Sequence, residues 1–180
     1  MRPDGMRRHL RDMKKAFILC GLLVITLTGA QMENRFPNLD SHDLNGAAVS
    51  LPAGLPGERT ILLVAFEREQ QANLDAWNHG LKLEEGKLPW LELPVINNPG
   101  AFMRWFINTG MRGGIHGKET RSHVVTLYTD KTAFKAAVGI QTEKQVHVFV
   151  AGRTGEILAH VEGDFSPERA EQILRAASGK

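Results

Sequence analysis

Two kinds of apolar run alternate along this chain. Ile61 to Phe66 (ILLVAF) is apolar at every position, which predicts a strand covered on both faces and therefore central in a sheet. Directly after it, Gln70 to Leu81 places Leu74, Trp77 and Leu81 at helical spacing, so a strand is expected to run straight into a helix, half of a βαβ unit. Leu91 to Ile96 is a second short apolar stretch, and Pro94 within it predicts a strand end or an edge strand, because proline has no N–H for a ladder. Phe102, Trp105 and Phe106 recur at the 3,4 spacing of a helix over Ala101 to Ile107, which Gly110, Gly113, Gly114 and Gly117 are expected to break. Val124 to Tyr128 reads as a further strand and Thr132 to Ala137 as a short helix.

Turn chemistry orders the rest. Asp43-Leu44-Asn45-Gly46 before Ala48 to Pro52 predicts an N-terminal hairpin, and Gly152-Arg153-Thr154-Gly155 between Val146 to Val150 and Ile157 to Val161 predicts a second. Ser166-Pro167 opens a last helix, with an N-cap and a proline in the first turn and with Ala170, Ile173, Leu174 and Ala177 on one face. The order is that of an α/β sandwich: a central mixed sheet flanked by helices, with an N-terminal β-hairpin.

The first thirty residues read differently. Arg7 to Lys15 carry positive charge ahead of an apolar run from Ala16 to Ala30, with Thr28 and Ala30 at the spacing of a cleavage site. This is the build of a signal peptide over residues 1 to 30, cleaved after Ala30 or retained as an anchor, and it implies an exported, periplasmic protein with the domain in residues 31 to 180. Met6 and Met13 are alternative starts. The chain totals 22 Lys and Arg against 20 Asp and Glu, but six of the cations precede residue 30, leaving 16 basic against 18 acidic residues. A domain at net −2 has no global drive toward nucleic acid. Membrane attachment is expected only through residues 16 to 30 if they are retained. Cys20 is the single cysteine, so residues 31 to 180 can perform neither thiol chemistry nor thiolate metal ligation.

The layout resembles the thioredoxin-like fold of the peroxiredoxin and TlpA-type families over roughly Phe36 to Ala177. The resemblance is carried by Phe36-Pro37-Asn38-Leu39, the stretch Leu44 to Pro52, the strand Ile61 to Phe66, and Phe149 to Ile157. Those families keep a catalytic cysteine or cysteine pair just after the central strand. Here that segment is Glu67 to Leu74 without sulfur, and Thr142 to Val148 lacks the families' proline, so the resemblance implies the fold but not the redox activity. A narrower resemblance is to the mitochondrial ATPase-complex assembly factor family, in Phe66-Glu67-Arg68, Trp77 and the stretch Val146 to Glu171. Leu158 and Ala159 depart from that family's last strand, which puts its partner surface in doubt.

Candidate chemistry is sparse. Between Gly100 and His123 lie Arg104, Arg112, Lys118 and Arg121 with His116, against Glu119 alone, among four glycines. Backbone N–H groups of a glycine-rich loop and arginine forks suit a carboxylate or phosphate, although a solvated loop gives the same pattern. Glu67 and Arg68 hold the place of the missing thiols, where acid–base chemistry or a solvated helix start would fit. Trp77, Trp90, Trp105, Phe102 and Phe106 read as core rather than as a recognition patch, with aromatic interface anchors as the alternative and Trp77 a binding candidate beside Glu67, Arg68 and the arginines. His147 and His160 face each other if Val150 pairs with Ile157, which suits cross-strand packing better than a metal site lacking a third ligand. No phosphate-loop motif occurs, and no cofactor is expected. The expectation is an exported, redox-inactive thioredoxin-like protein without a catalytic residue that binds another protein, as an assembly or chaperone-like factor. The alternative is a binder of anions or small ligands, or a redox-related enzyme of the superfamily.

Overall fold

A computed structural model describes residues 34–179; the expected leader over residues 1 to 30 lies outside them. A hairpin of β1 (Leu39–His42) and β2 (Ala48–Leu51) precedes a five-stranded sheet. The sheet runs β5 (Leu127–Thr129), β4 (Trp90–Asn97), β3 (Arg59–Ala65), β6 (His147–Gly152), β7 (Ile157–Glu162). β3, β4 and β5 are mutually parallel, while β6 and β7 are antiparallel to their neighbours. The apolar run does lie at the centre of the mixed sheet, as its uniform hydrophobicity requires.

Alternation along β3 divides the core in two. Leu62 and Val64 face one layer with Leu93, Val95, Phe134, Val138 and Phe149, beneath α4 (Lys131–Val138) and Phe36. Ile61, Leu63 and Ala65 face the other with Leu74, Trp77, Leu81, Val148 and Ile173, beneath α1 (Gln71–Leu81) and α5 (Pro167–Ser178). The helices end where side chains or glycine satisfy orphan backbone groups. Asp130 accepts from the N–H groups of Thr132 and Ala133 to start α4, and Gly139, at φ 77°, closes it. Ser166 accepts from the N–H of Arg169 to start α5.

The structure corrects three expectations of layout. Pro94 lies inside an internal strand, not at an edge. The N–H and C=O of Glu92 both bond toward the segment before β5, and by strand parity the nitrogen of Pro94 faces the same way. The pairing with that outer segment is interrupted there, between the Glu92–Val124 bridge and the Val95–Leu127 ladder, so the missing donor leaves no bond unmade. In the second hairpin the register is displaced: Val150 pairs with Ala159, His147 with Glu162 and Phe149 with His160, because a bulge follows Val150.

The third correction concerns the glycine-rich segment. It is α2 (Ala101–Gly114), which continues through Gly110, Gly113 and Gly114, followed by a short α3 (Lys118–Ser122). A glycine inside a helix costs about 1 kcal/mol relative to alanine, and α2 also starts at Gly100 without a side-chain cap. Its attachments to the body are few and polar. The Tyr128 hydroxyl donates to Asn108 Oδ1 at 2.8 Å, the Thr126 hydroxyl reaches Met111 Sδ at 3.6 Å, and Arg112 Nε donates to the Leu44 carbonyl. No residue of α2 is buried, and Phe102, Trp105 and Phe106 are 75%, 62% and 61% exposed. The expectation that these three rings belong to the core is overturned; Trp77 and Trp90 do belong to it, 0% and 2% exposed.

Candidate functional site

The corner beyond β3 is where the resembled families keep their thiols, and Gln70 decides its character here. The chain leaves β3 at Ala65, passes Phe66 and Glu67, and forms one 3₁₀ turn over Arg68–Gln70 before α1 begins. The turn folds the Gln70 side chain back under the strand end, where it is buried. Its Oε1 accepts from the N–H of Phe66 at 2.8 Å and from that of Glu67 at 3.3 Å, and its Nε2 donates to the Glu143 carbonyl at 2.6 Å. One amide thereby satisfies the two backbone donors that a strand-to-helix turn leaves open and ties the turn to the loop before β6.

Around that amide the polar groups also have partners. Lys131 Nζ donates to the Phe66 carbonyl at 3.3 Å and to Glu143 Oε2 at 3.0 Å, and lies 5.6 Å from the Phe66 ring centre. Lys135 Nζ meets Glu143 Oε1 at 2.7 Å. The hydrogen bonds from Lys135 and then Lys131 hold the Glu143 carboxyl below the usual carboxylate range. Glu67 and Arg68 are exposed on the turn, and Glu67 joins this network through its backbone N–H. The corner is a closed polar latch of Gln70, Lys131, Lys135 and Glu143.

Behind the latch sit the two histidines. His147 Nε2 lies 2.9 Å from the Thr142 carbonyl and so must carry the proton, which makes Nδ1 an acceptor for the His160 Nε2–H at 3.1 Å. They meet diagonally rather than directly opposite, since the register is displaced by two residues and the face is unchanged. His160 also stacks on Phe149 at 4.1 Å. Burial, followed by the neighbouring His147, lowers the pKa of His160 to about 4, and burial lowers that of His147. Both rings are neutral at pH 7, and His147 has no free lone pair to offer a metal. Among the described residues no group of three or more His, Cys, Asp or Glu is placed to hold one.

The arginines expected to gather around an anion are turned to other tasks. Arg104 donates to the Pro99 carbonyl and to Asn98, and its guanidinium lies over the Tyr128 ring. Arg112 reaches the Leu44 carbonyl, and Arg121 holds Asn45 Oδ1 at 3.1 Å and the Ile115 carbonyl at 3.3 Å. All three clamp α2 and α3 to neighbouring loops, and His116 stands exposed between the two helices. The backbone of Gly110 and Gly113 is helical, so its N–H groups are not collected into an anion cradle. Trp77, also a binding candidate, is fully buried and donates its indole N–H to the Gly163 carbonyl at 2.9 Å; it is a core pillar without surface to offer. An open cleft of about 220 Å³ lies between the first hairpin and α2, lined by Asp40, Ser41, His42, Arg104, Asn108 and Tyr128 among others. The Asp40 carboxylate in its wall opposes an anion.

One buried group went unnoticed in the sequence. Glu92 on β4 is 6% exposed, and its Oε1 has no hydrogen-bond partner. Burial first, then the charge of Asp75 on α1, raises its pKa to about 7, while a hydrogen bond from Gln71 works in the opposite direction. Its place in the apolar stretch Leu91 to Ile96 was the available signal, an acid on a face otherwise built from Trp90 and Leu63.

No family model and no curated protein matches the chain. Solved structures do. A candidate electron transfer protein from Aquifex aeolicus VF5 superposes with a TM-score of 0.57 over 82% of this chain and 99% of its own, at 16% identity. BsSco, a member of the Sco family of cytochrome c oxidase assembly proteins, does so with a TM-score of 0.52 over 82% and 96%, at 14% identity. The fold is thioredoxin-like. The exposed lipoprotein thioredoxin Etrx1 of Streptococcus pneumoniae strain TIGR4 shares this architecture as well, with a TM-score of 0.50 over 80% of this chain and all of its own, at 14% identity. At such identities the likeness concerns architecture alone. Within this thioredoxin-like domain, residues 34–179 contain no cysteine, and among the described residues no helix is long and apolar enough to cross a membrane.

Proposed function

We propose that this protein is a redox-inactive member of the thioredoxin-like superfamily that acts by non-covalent binding of another protein, in an exported compartment, as an assembly or chaperone-like factor. The observation that carries the reading is the latch at the end of β3. Gln70, Lys131 and Glu143 fill that corner with mutually satisfied polar groups, and a thiolate nucleophile there would need both a cysteine and open approach. Export is supported by the leader-like residues 1 to 30, and an assembly role by the existence of assembly proteins on the same architecture, as the name of BsSco records.

The test is made on the full chain carrying Cys20→Ser. It is expected to reduce insulin disulfides and consume hydroperoxide no faster than buffer, and to be recovered from its native host crosslinked to a distinct polypeptide. Enzyme-like turnover, or stabilisation by an anion with no crosslinked partner, would replace this reading with the catalytic or ligand-binding alternative.

A further inference from the structure

The outer face of α2 is built as one half of a symmetric contact. Phe102, Trp105, Phe106, Thr109, Gly110 and Gly113 recur at helical spacing on the side turned away from Arg104 and Met111, which face the body. The stripe carries no charge. Its N-terminal half is aromatic and exposed, and its C-terminal half is glycine. Among the described residues a Cβ added at Gly110, Gly113 or Gly114 would meet nothing within 4 Å, so no contact among them accounts for glycines inside the helix. Glycine in a helix allows another backbone or a large side chain to approach closely.

We propose that α2 pairs antiparallel with α2 of a second copy of this chain across a two-fold axis, so that the aromatic half of each helix covers the glycine half of the other. Antiparallel pairing about a midpoint near Asn108 lays Phe102 over the partner's Gly113, Phe106 over the partner's Gly110 and Trp105 beside the partner's Thr109. Each large side chain then meets a small one, the self-complementarity that an isologous interface requires. Three rings of about 150–250 Å² each, exposed to nearly two-thirds or more, supply roughly 400 Å² per copy against about 800 Å² in a standard interface. The dimer is therefore a weak, transient one rather than obligate. An anionic lipid surface is the poorer occupant. It would draw on cations flanking the apolar face, and Arg104 and Arg112 are bonded back to the body.

Thiol crosslinking of the full chain in a Cys20→Ser background tests the geometry. Differently tagged Phe102→Cys and Gly113→Cys chains, co-expressed and treated with a short bifunctional maleimide, are expected to link to each other. Neither is expected to link to itself, since like positions lie about 16 Å apart along the pair. Light scattering from 1 to 200 μM is expected to show a monomer–dimer equilibrium, weakened at least tenfold by Gly113→Leu without a lower melting temperature, because the position is open in the monomer. A chain monomeric throughout that range, links between two copies of Phe102→Cys, or a monomer that binds phosphatidylglycerol vesicles and loses them with Trp105→Ser would each overturn the pairing.

Discussion

Two helices of this domain carry the same kind of pattern and meet opposite fates. α1 and α2 each present a tryptophan among apolar residues at helical spacing. Trp77 of α1 is completely buried between β3 and α5, whereas Trp105 of α2 is 62% exposed. α1 starts from the Gln70 latch and lies over the middle of the sheet. α2 starts from an uncapped glycine and hangs at the β5 edge on a few polar bonds. Amphipathicity states which side of a helix is apolar; only the three-dimensional arrangement states whether this chain covers that side.

Replacing the two tryptophans gives the largest expected contrast. Trp77→Ala opens a core cavity, strands the Gly163 carbonyl, and should lower unfolding free energy by about 3–5 kcal/mol in urea titration. Trp105→Ala should change it by less than about 0.5 kcal/mol. A comparable loss at Trp105 would show that α2 is packed after all.

Glu92, beneath α1, should respond in the opposite sense. Burial raises the pKa of its carboxyl from the ordinary 4.5 to about 7, so the fold favours the neutral acid. That contribution is complete below about pH 4.5 and lost as pH rises through 7. Glu92→Gln, which cannot ionise, should therefore stabilise the protein at pH 8 by up to about 3 kcal/mol, with the gain vanishing near pH 4. An equal effect at both pH values would place its origin in packing rather than charge.

Gln70→Leu tests the latch. It leaves the Phe66 and Glu67 N–H groups and the Glu143 carbonyl without their partner, for an expected loss of about 1–3 kcal/mol. Amide exchange at Phe66 should accelerate well beyond that at Leu63. Exchange unchanged at Phe66 would show that the turn holds itself without the amide.

The histidine pair is read only on the acid side of the stability curve. Both folded pKa values are depressed, so the unfolded chain takes up protons first, and the stability contributed by the neutral pair is lost as pH falls from about 6.5 toward 4. His160→Asn should flatten that slope in melting temperature, and an unaltered slope would assign the acid sensitivity to other groups.

Much of the fold was legible because its signals are local. The apolar run Ile61 to Phe66 could only be a central strand, and Asn45-Gly46, Ser166-Pro167 and Gly152 to Gly155 mark turns and caps by backbone chemistry that needs no distant partner. The candidate site was less legible. Arg104, Arg112 and Arg121 looked like an anion cluster because the sequence shows charges without directions, and Gln70 escaped notice because an amide gains meaning only from the N–H groups it reaches. The bulge after Val150 displaced the histidine register, yet a displacement of two residues preserves the face, so the pair still meets.

The sequence by itself determined the order of elements, the central strand and the absence of a thiol from the domain, since these depend on side-chain type and on periods of two and 3.6. The tertiary structure alone decided that the corner beyond β3 is closed, that the arginines are clamps, and that the described residues leave the rings of one of two similar helices uncovered. Those outcomes depend on which polar groups find partners and which apolar faces find cover, and both are settled by contacts between segments far apart in the chain.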